Sequence, residues 1–211
     1  MIVETMTSTE MYKEIMRDYD DVCRYIEANT AKYIRAARKS NIYPKKFDIP
    51  IKYKSKHNNQ FYAFVECRNK KMAKNRELLF TIIATFNQRN ATAIIMIPMR
   101  SHLFEKHSII IYTSHLFKRY RERFLGDYSI SNWELISCYV KNNPQSLCYP
   151  NPSERYGENA IASTINQGIL FGVREEKATI FKTFLNKEKL YANQLSLDRT
   201  IEFNAFLKNI A

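Results

Sequence analysis

Thr113-Ser114-His115-Leu116-Phe117-Lys118-Arg119-Tyr120-Arg121-Glu122-Arg123-Phe124 is the stretch around which the rest of the chain arranges itself. Leu116, Phe117, Tyr120 and Phe124 recur at helical spacing and make one apolar stripe. His115, Arg119 and Arg123 stand at i, i+4 and i+8, so their side chains stack along the neighbouring face. Thr113 or Ser114 can cap this helix, which places His115 in its first turn. The run before it, residues 108–113, is rich in β-branched residues and reads as a short strand feeding straight into the helix. The expected helix covers residues 115–125.

Downstream, Trp133, Ile136 and Val140 place a second helix at 132–143, followed by a polar loop with Pro144, Pro150 and Pro152. Segments 160–165, 169–174 and 178–185 read as an antiparallel meander, with turns at Asn166-Gln167-Gly168 and Glu175-Glu176-Lys177. A C-terminal helix is expected over 196–210. Upstream, segments 47–54, 60–67, 79–87 and 91–98 are strand-like, and His57-Asn58-Asn59 suits a hairpin turn. Residues 68–76 read as a cationic loop. At the start, Thr7 and Glu10 form a capping box, and Met11, Ile15, Tyr19, Val22 and Ile26 mark a helix that Asn29-Thr30 interrupts. The order is helix, strands, helices, strands, helix. It predicts an α+β fold: a mainly antiparallel sheet packed by helices, with helices at both the N- and C-terminal ends. Two regions are expected, a helix plus basic β-rich extension over 1–107 and an α+β core with its C-terminal helix over 108–211, either separate or joined in one compact domain.

Composition narrows the function. The 211 residues contain only four glycines, at 126, 157, 168 and 172, so no glycine cluster exists to cradle a phosphate as P-loop and dinucleotide-binding enzymes do. Cys23, Cys67, Cys138 and Cys148 lack metal-ligand spacing, so neither a metal nor a cofactor is expected. No apolar run reaches a membrane-spanning length and no secretory leader is evident, which makes a reducing cytoplasm with free thiols the expectation. Net charge is +12, and its placement is uneven. Residues 32–76 carry fourteen Lys/Arg against Asp48 and Glu66, whereas residues 1–30 carry seven acids against three bases. A basic stretch of this kind points to a polyanion, and Lys52, Lys54, Arg68, Lys70, Lys71, Lys74 and Arg76 are the expected nucleic-acid contacts. Tyr53 or Tyr62, among those lysines, could stack on bases. The acidic first helix could instead dock a protein partner.

The chemistry concentrates at His115. The positive end of the helix and Arg119 one turn on both disfavour imidazolium, so a neutral histidine able to accept a proton is expected at pH 7. That base could take a ribose 2′-OH proton while Arg119 and Arg123 hold the phosphate, the chemistry of metal-independent RNA cleavage. His107, Tyr112, Tyr120 and Lys182 are candidates for the general acid, and Glu122 or Glu105 could equally pair with the arginines.

His-x-x-x-Arg-x-x-x-Arg at the start of a helix entered from a strand resembles small uncharacterised bacterial and phage proteins grouped with the barnase–colicin–RelE-like ribonuclease and toxin superfamily. Their pattern of strand, this helix, a second helix and antiparallel strands is similar to the order read here over about residues 108–194, with Thr183-Phe184 ending the last strand and Leu190 and Gln194 beyond. The resemblance implies RNA as substrate or ligand and no metal, and it carries over His115, Arg119, Arg123 and Thr183 as active residues. This chain departs from the pattern in its long proline-bearing loop and in residues 1–107. Three readings stay open: a metal-independent endoribonuclease, a non-catalytic nucleic-acid-binding module, and an interaction protein of a phage or toxin system.

Overall fold

A computed structural model describes residues 1–97, 108–143, 147–150 and 157–189. Helix α1 (Ser8–Ala28) opens with the expected Thr7–Glu10 capping box and is followed, after Asn29-Thr30, by α2 (Ala31–Lys39). Strands β1 (Lys45–Lys46), β2 (Ile51–Lys54), β3 (Gln60–Cys67), β4 (Leu79–Gln88), β5 (Ala91–Ile97) and β6 (Ile109–Tyr112) come next, with a short helix α3 (Lys70–Lys74) after β3. Then come α4 (Ser114–Tyr120), a π-helical turn (Arg121–Leu125) and α5 (Asn132–Asn142). Strands β7 (Leu147–Pro150), β8 (Ala160–Ile165), β9 (Gly168–Arg174) and β10 (Ala178–Asn186) complete the sheet.

These ten strands form one sheet in the order β1-β3-β4-β5-β6-β10-β9-β8-β7, with β2 also pairing β3. Every pairing is antiparallel except β6 with β10, where the crossover passes through α4 and α5. The fold is thus α+β with a mainly antiparallel sheet and an N-terminal helix, as expected. The β5–β6 ladder (Ile95↔Ile111) joins strands from the 1–107 and 108–211 regions. The expected C-terminal helix over 196–210 lies outside the described residues, as do Leu190, Gln194, Glu105 and His107.

Period-two alternation gives the sheet two apolar faces. One takes Phe61, Ala63, Val65, Ile82, Ala84, Ile95 and Ile111 and is covered by Met11, Ile15, Tyr19, Val22 and Ile26 of α1. The other takes Ile83, Ile94, Tyr112, Phe181 and Phe184 and is covered by Leu116, Phe117 and Tyr120 of α4 and Leu135, Ile136, Tyr139 and Val140 of α5. Each fully buried side chain of this size contributes about 1.5–3 kcal/mol, so both helical layers are held by their stripes.

Four local expectations are corrected. Of the strand expected over 47–54 only Ile51–Lys54 forms, as β2, directly after Pro50, which has no N–H to give a ladder; β1 precedes the expected bounds. The cationic loop over 68–76 contains α3, whose start is capped by the Asn69 side chain accepting the Met72 N–H at 2.9 Å. The helix over 115–125 changes to π geometry at Arg121 and closes on Gly126, which adopts φ 65° and donates its N–H to Arg121 O at 2.9 Å. The proline-bearing loop after α5 contains β7, paired with β8. Cys23, Cys67 and Cys138 are free thiols, and among the described residues no helix is long and apolar enough to cross a membrane.

Candidate nucleic-acid interface

Thr113 is the residue that caps α4. Its hydroxyl accepts the Leu116 N–H at 3.3 Å, and its own N–H donates to Phe181 O at 3.1 Å, pinning the strand-to-helix joint to β10. Ser114 is held from the other side, its N–H donating to Gln88 Oε1 at 2.9 Å. His115 therefore stands exposed in the first turn of an anchored helix.

Arg119 comes to His115 as the spacing predicts: its Nε–H donates to His115 Nε2 at 3.4 Å. The hydrogen bond requires a lone pair on Nε2, the neutral form. Partial burial, then the charges of Arg119 and Lys118, hold the imidazole below its ordinary pKa. A base at pH 7 is the chemical consequence. The two arginines, however, are already engaged. Arg119 Nη1 donates to Glu122 Oε2 at 2.8 Å, so one edge of its fork is neutralised. Arg123 Nη1 donates to Phe184 O at 2.6 Å while its own carbonyl accepts from Asn186 Nδ2 at 3.0 Å, which makes it a brace between the π turn and β10. Thr183 is half-buried beside that brace on β10.

Two of the four general-acid candidates are sealed in the core. Tyr112 is 1% exposed with its hydroxyl 3.9 Å from Met96 Sδ, and Tyr120 is fully buried and donates to Gln167 Oε1 at 2.6 Å. Burial pushes the Tyr120 phenol far above its ordinary range. Lys182 is exposed at a register shift between Phe181 and Thr183, where its backbone carbonyl accepts from the Thr113 hydroxyl at 3.4 Å.

The open space lies on the other side of α4. A cleft of about 330 Å³ between α4, α5 and the start of β5 is lined by Ser114, Phe117, Lys118, Arg121, Asn132 and Ile136 among others, and also by Glu122, the partner of Arg119. A second cavity of about 280 Å³, lined by Lys52, Gln60, Tyr62, Thr85, Thr92 and Trp133, adjoins it, since Thr92 and Ile136 line both. Together they make a groove along α5 whose α4 end is lined by Ser114, Lys118 and Glu122 and not by His115.

The seven expected nucleic-acid cations divide between two places. Lys52 lines the second cavity, and Lys54 projects from the same face of β2. Lys70, Lys71 and Lys74 lie on α3, with Arg68 and Arg76 flanking it, beyond the far end of β3. There Ala73 packs with Ala37 of α2, and Phe47 and Leu78 join this cluster to the core under α1. Lys118, Arg121, Gln60 and Trp133 were not singled out as contacts by their sequence pattern. Lys118 and Arg121 belong to the quoted helix itself, one face round from the His–Arg stack, and the sign that could have found them is their i, i+3 spacing, which also shares a helix face.

Two acids of α1 are turned inward, whereas Glu10, Asp20 and Glu27 are exposed. Asp18 and Glu14 are buried and bonded to Asn59, and Asp21 pairs with Arg24 and Lys56. The apolar stripe of α1 is likewise spent on its own sheet. Compared with known proteins, the chain matches no family model, no curated protein and no solved structure.

Proposed function

We propose that this protein binds RNA in the groove along α5. The observation that carries the reading is the joined pair of cavities, walled by Lys52, Lys118 and Arg121 and by the rings of Tyr62 and Trp133. Cations track a phosphate chain and aromatic faces accept bases, and both line this pair of cavities. The net charge of +12 adds a long-range attraction to the same polyanion.

A second reading, metal-independent RNA cleavage, is favoured by the state of His115. Its neutral Nε2 would take the 2′-OH proton, the 2′-oxygen would attack phosphorus, and the 5′-oxygen would leave with a proton from Lys182, giving a 2′,3′-cyclic phosphate. Arg119, released from Glu122, would meet the charge that builds on the phosphate. The order β6, α4, α5, β7, β8, β9, β10 is similar to the one that the resemblance to barnase–colicin–RelE-like proteins implies, with β7 added at the sheet edge.

Fluorescence anisotropy with labelled RNA tests the binding, and incubation of that RNA in excess chelator tests the cleavage. Saturable binding is expected; its absence overturns the proposal. If cleavage occurs, His115→Ala should slow it by about 10²–10⁴-fold with binding intact. An unchanged rate removes His115 from the mechanism, and no cleavage by the unaltered protein leaves a binding module.

A further inference from the structure

The second cavity has the chemistry of a seat for one unpaired base. Trp133 of α5 lies across the sheet face, its ring centroid 4.3 Å from that of Tyr62 and 6.0 Å from that of Phe64. Elsewhere in this core the large rings are closed in: Tyr112, Tyr120 and Tyr139 are exposed by 1% or less. Tyr62 and Trp133 stay half-buried and line a space whose other walls are the polar Lys52, Gln60, Thr85 and Thr92 and the buried Ile136. Both rings pack against the apolar cluster under α5 and are still left partly open toward lysine, glutamine and threonine. Registers explain how they meet: Tyr62 pairs with Lys52 on β2 and Ile83 on β4, and Gln60 pairs with Thr85. Side chains of one sheet face are thereby brought to one spot from four strands, with Thr92 supplied by β5.

We infer that this cavity binds a single unstacked base of single-stranded RNA, with the Tyr62 and Trp133 rings as its stacking surface, Lys52 on the adjoining phosphate and the Gln60 amide on the base edge. The inference rests on the RNA-binding reading above and names the class of RNA. At about 280 Å³, near the lower end of the roughly 300–1,000 Å³ of ligand pockets, the space has room for a base. Gln60 Oε1 accepts the Tyr62 hydroxyl at 3.1 Å, which orients the amide and leaves its N–H₂ to donate to a base carbonyl. A base in duplex RNA is stacked on both faces and paired at its edge, so it cannot enter. The phosphate on Lys52 and those on Lys118 and Arg121 then lie along one groove.

Trp133 is the only tryptophan in the chain, so its fluorescence reports on this cavity. The full-length protein is titrated with oligouridine, alone or annealed to oligoadenine, while anisotropy of a label on the RNA records total binding. Single-stranded oligouridine should quench Trp133 saturably, with the annealed form binding more weakly and leaving the emission unchanged. Tyr62→Leu, which keeps bulk and loses the ring, should weaken single-strand binding about tenfold or more, and Tyr62→Phe, which keeps the ring and loses only the hydroxyl on Gln60, should recover most of it. Binding by anisotropy with no change in Trp133 emission, an unaffected Tyr62→Leu variant, or equal affinity for the annealed form would overturn the base seat and leave RNA binding standing. No anisotropy change with any RNA would overturn both.

Discussion

Asp18 has no exposed surface, yet it lies on a helix that faces a sheet of apolar side chains. What permits this is a set of donors from one hairpin: His57 Nδ1, the Ser55 hydroxyl, and Asn59 Nδ2 at 2.7 Å all meet its carboxylate. Burial alone would raise the Asp18 pKa; the hydrogen bonds outweigh it and hold the carboxyl below its ordinary value. A depressed folded-state pKa contributes stability that is present above the unfolded value near 3.9 and is lost as pH falls through the folded value. Asp18→Asn should therefore destabilise the protein by about 1–3 kcal/mol at neutral pH, because an amide set against the Asn59 amide leaves buried donors unmet. The deficit should shrink as the unaltered protein is acidified to about pH 3, although Glu14, also held low beneath the Met1 ammonium and Asn59, keeps part of the acid sensitivity. Urea unfolding at the two pH values measures this, and an equal deficit at both would show that ionised Asp18 is not the cause. Nothing in the spacing of Asp18 and His57, thirty-nine positions apart, announces their contact. The hairpin at His57-Asn58-Asn59 could be read because turn chemistry is local; its partner on α1 could not.

At the scale of elements, α4 and the turn after it show why the reading of the His–Arg stack was only half legible. Helical spacing correctly brings Arg119 onto His115, a contact within one turn. It also predicts Arg123 on the same face, which holds only for an α-helix that continues to Leu125, and the π turn beginning at Arg121 re-aims everything after it. Arg123 instead meets Phe184 O, sixty-one residues away. Arg123→Ala should lower stability by about 1–2 kcal/mol, since a charge-assisted hydrogen bond to a β10 carbonyl is lost from a partly exposed position. RNA affinity should change by less than about threefold, roughly one charge's worth of screening. Urea unfolding and RNA anisotropy on one variant separate the two roles, and a large affinity loss with unchanged stability would return Arg123 to the phosphate. The strands divide in the same way. β3 and β8 have the bounds that alternation and turn residues predict, because each is a regular run between turn formers. β7 escaped because a proline-rich polar segment has no such signature, and pairs with β8 only at a sheet edge, where Pro150 is tolerated.

For the molecule as a whole, the question is whether a basic stretch in the sequence is a basic surface in space. Residues 32–76 look like one cationic unit along the chain, but the sheet divides them. Lys52 and Lys54 project toward α5 and the groove, whereas the five cations around α3 lie past the other end of β3, a strand of eight residues spanning about 25 Å, in a cluster continuous with the α1 side of the sheet. Charge counts carry no direction, and only the strand registers show which lysines share a face with Trp133. If RNA follows the groove, its phosphates meet Lys52, Lys54, Lys118 and Arg121, and each neutralised phosphate of a single strand contributes about −0.7 to the slope of log affinity against log salt. A slope near −3 is therefore expected. Replacing Lys70, Lys71 and Lys74 together by Ala should leave that slope unchanged, because those side chains stand off the path, while Lys52→Ala with Lys118→Ala should flatten it by about 1.4. The α3 variant also lowers net charge by three, so it weakens long-range steering, and that change should appear in the association rate and not in the slope. Should the α3 variant flatten the slope by about 2 instead, the strand must cross the far end of β3, and the groove along α5 is not the track.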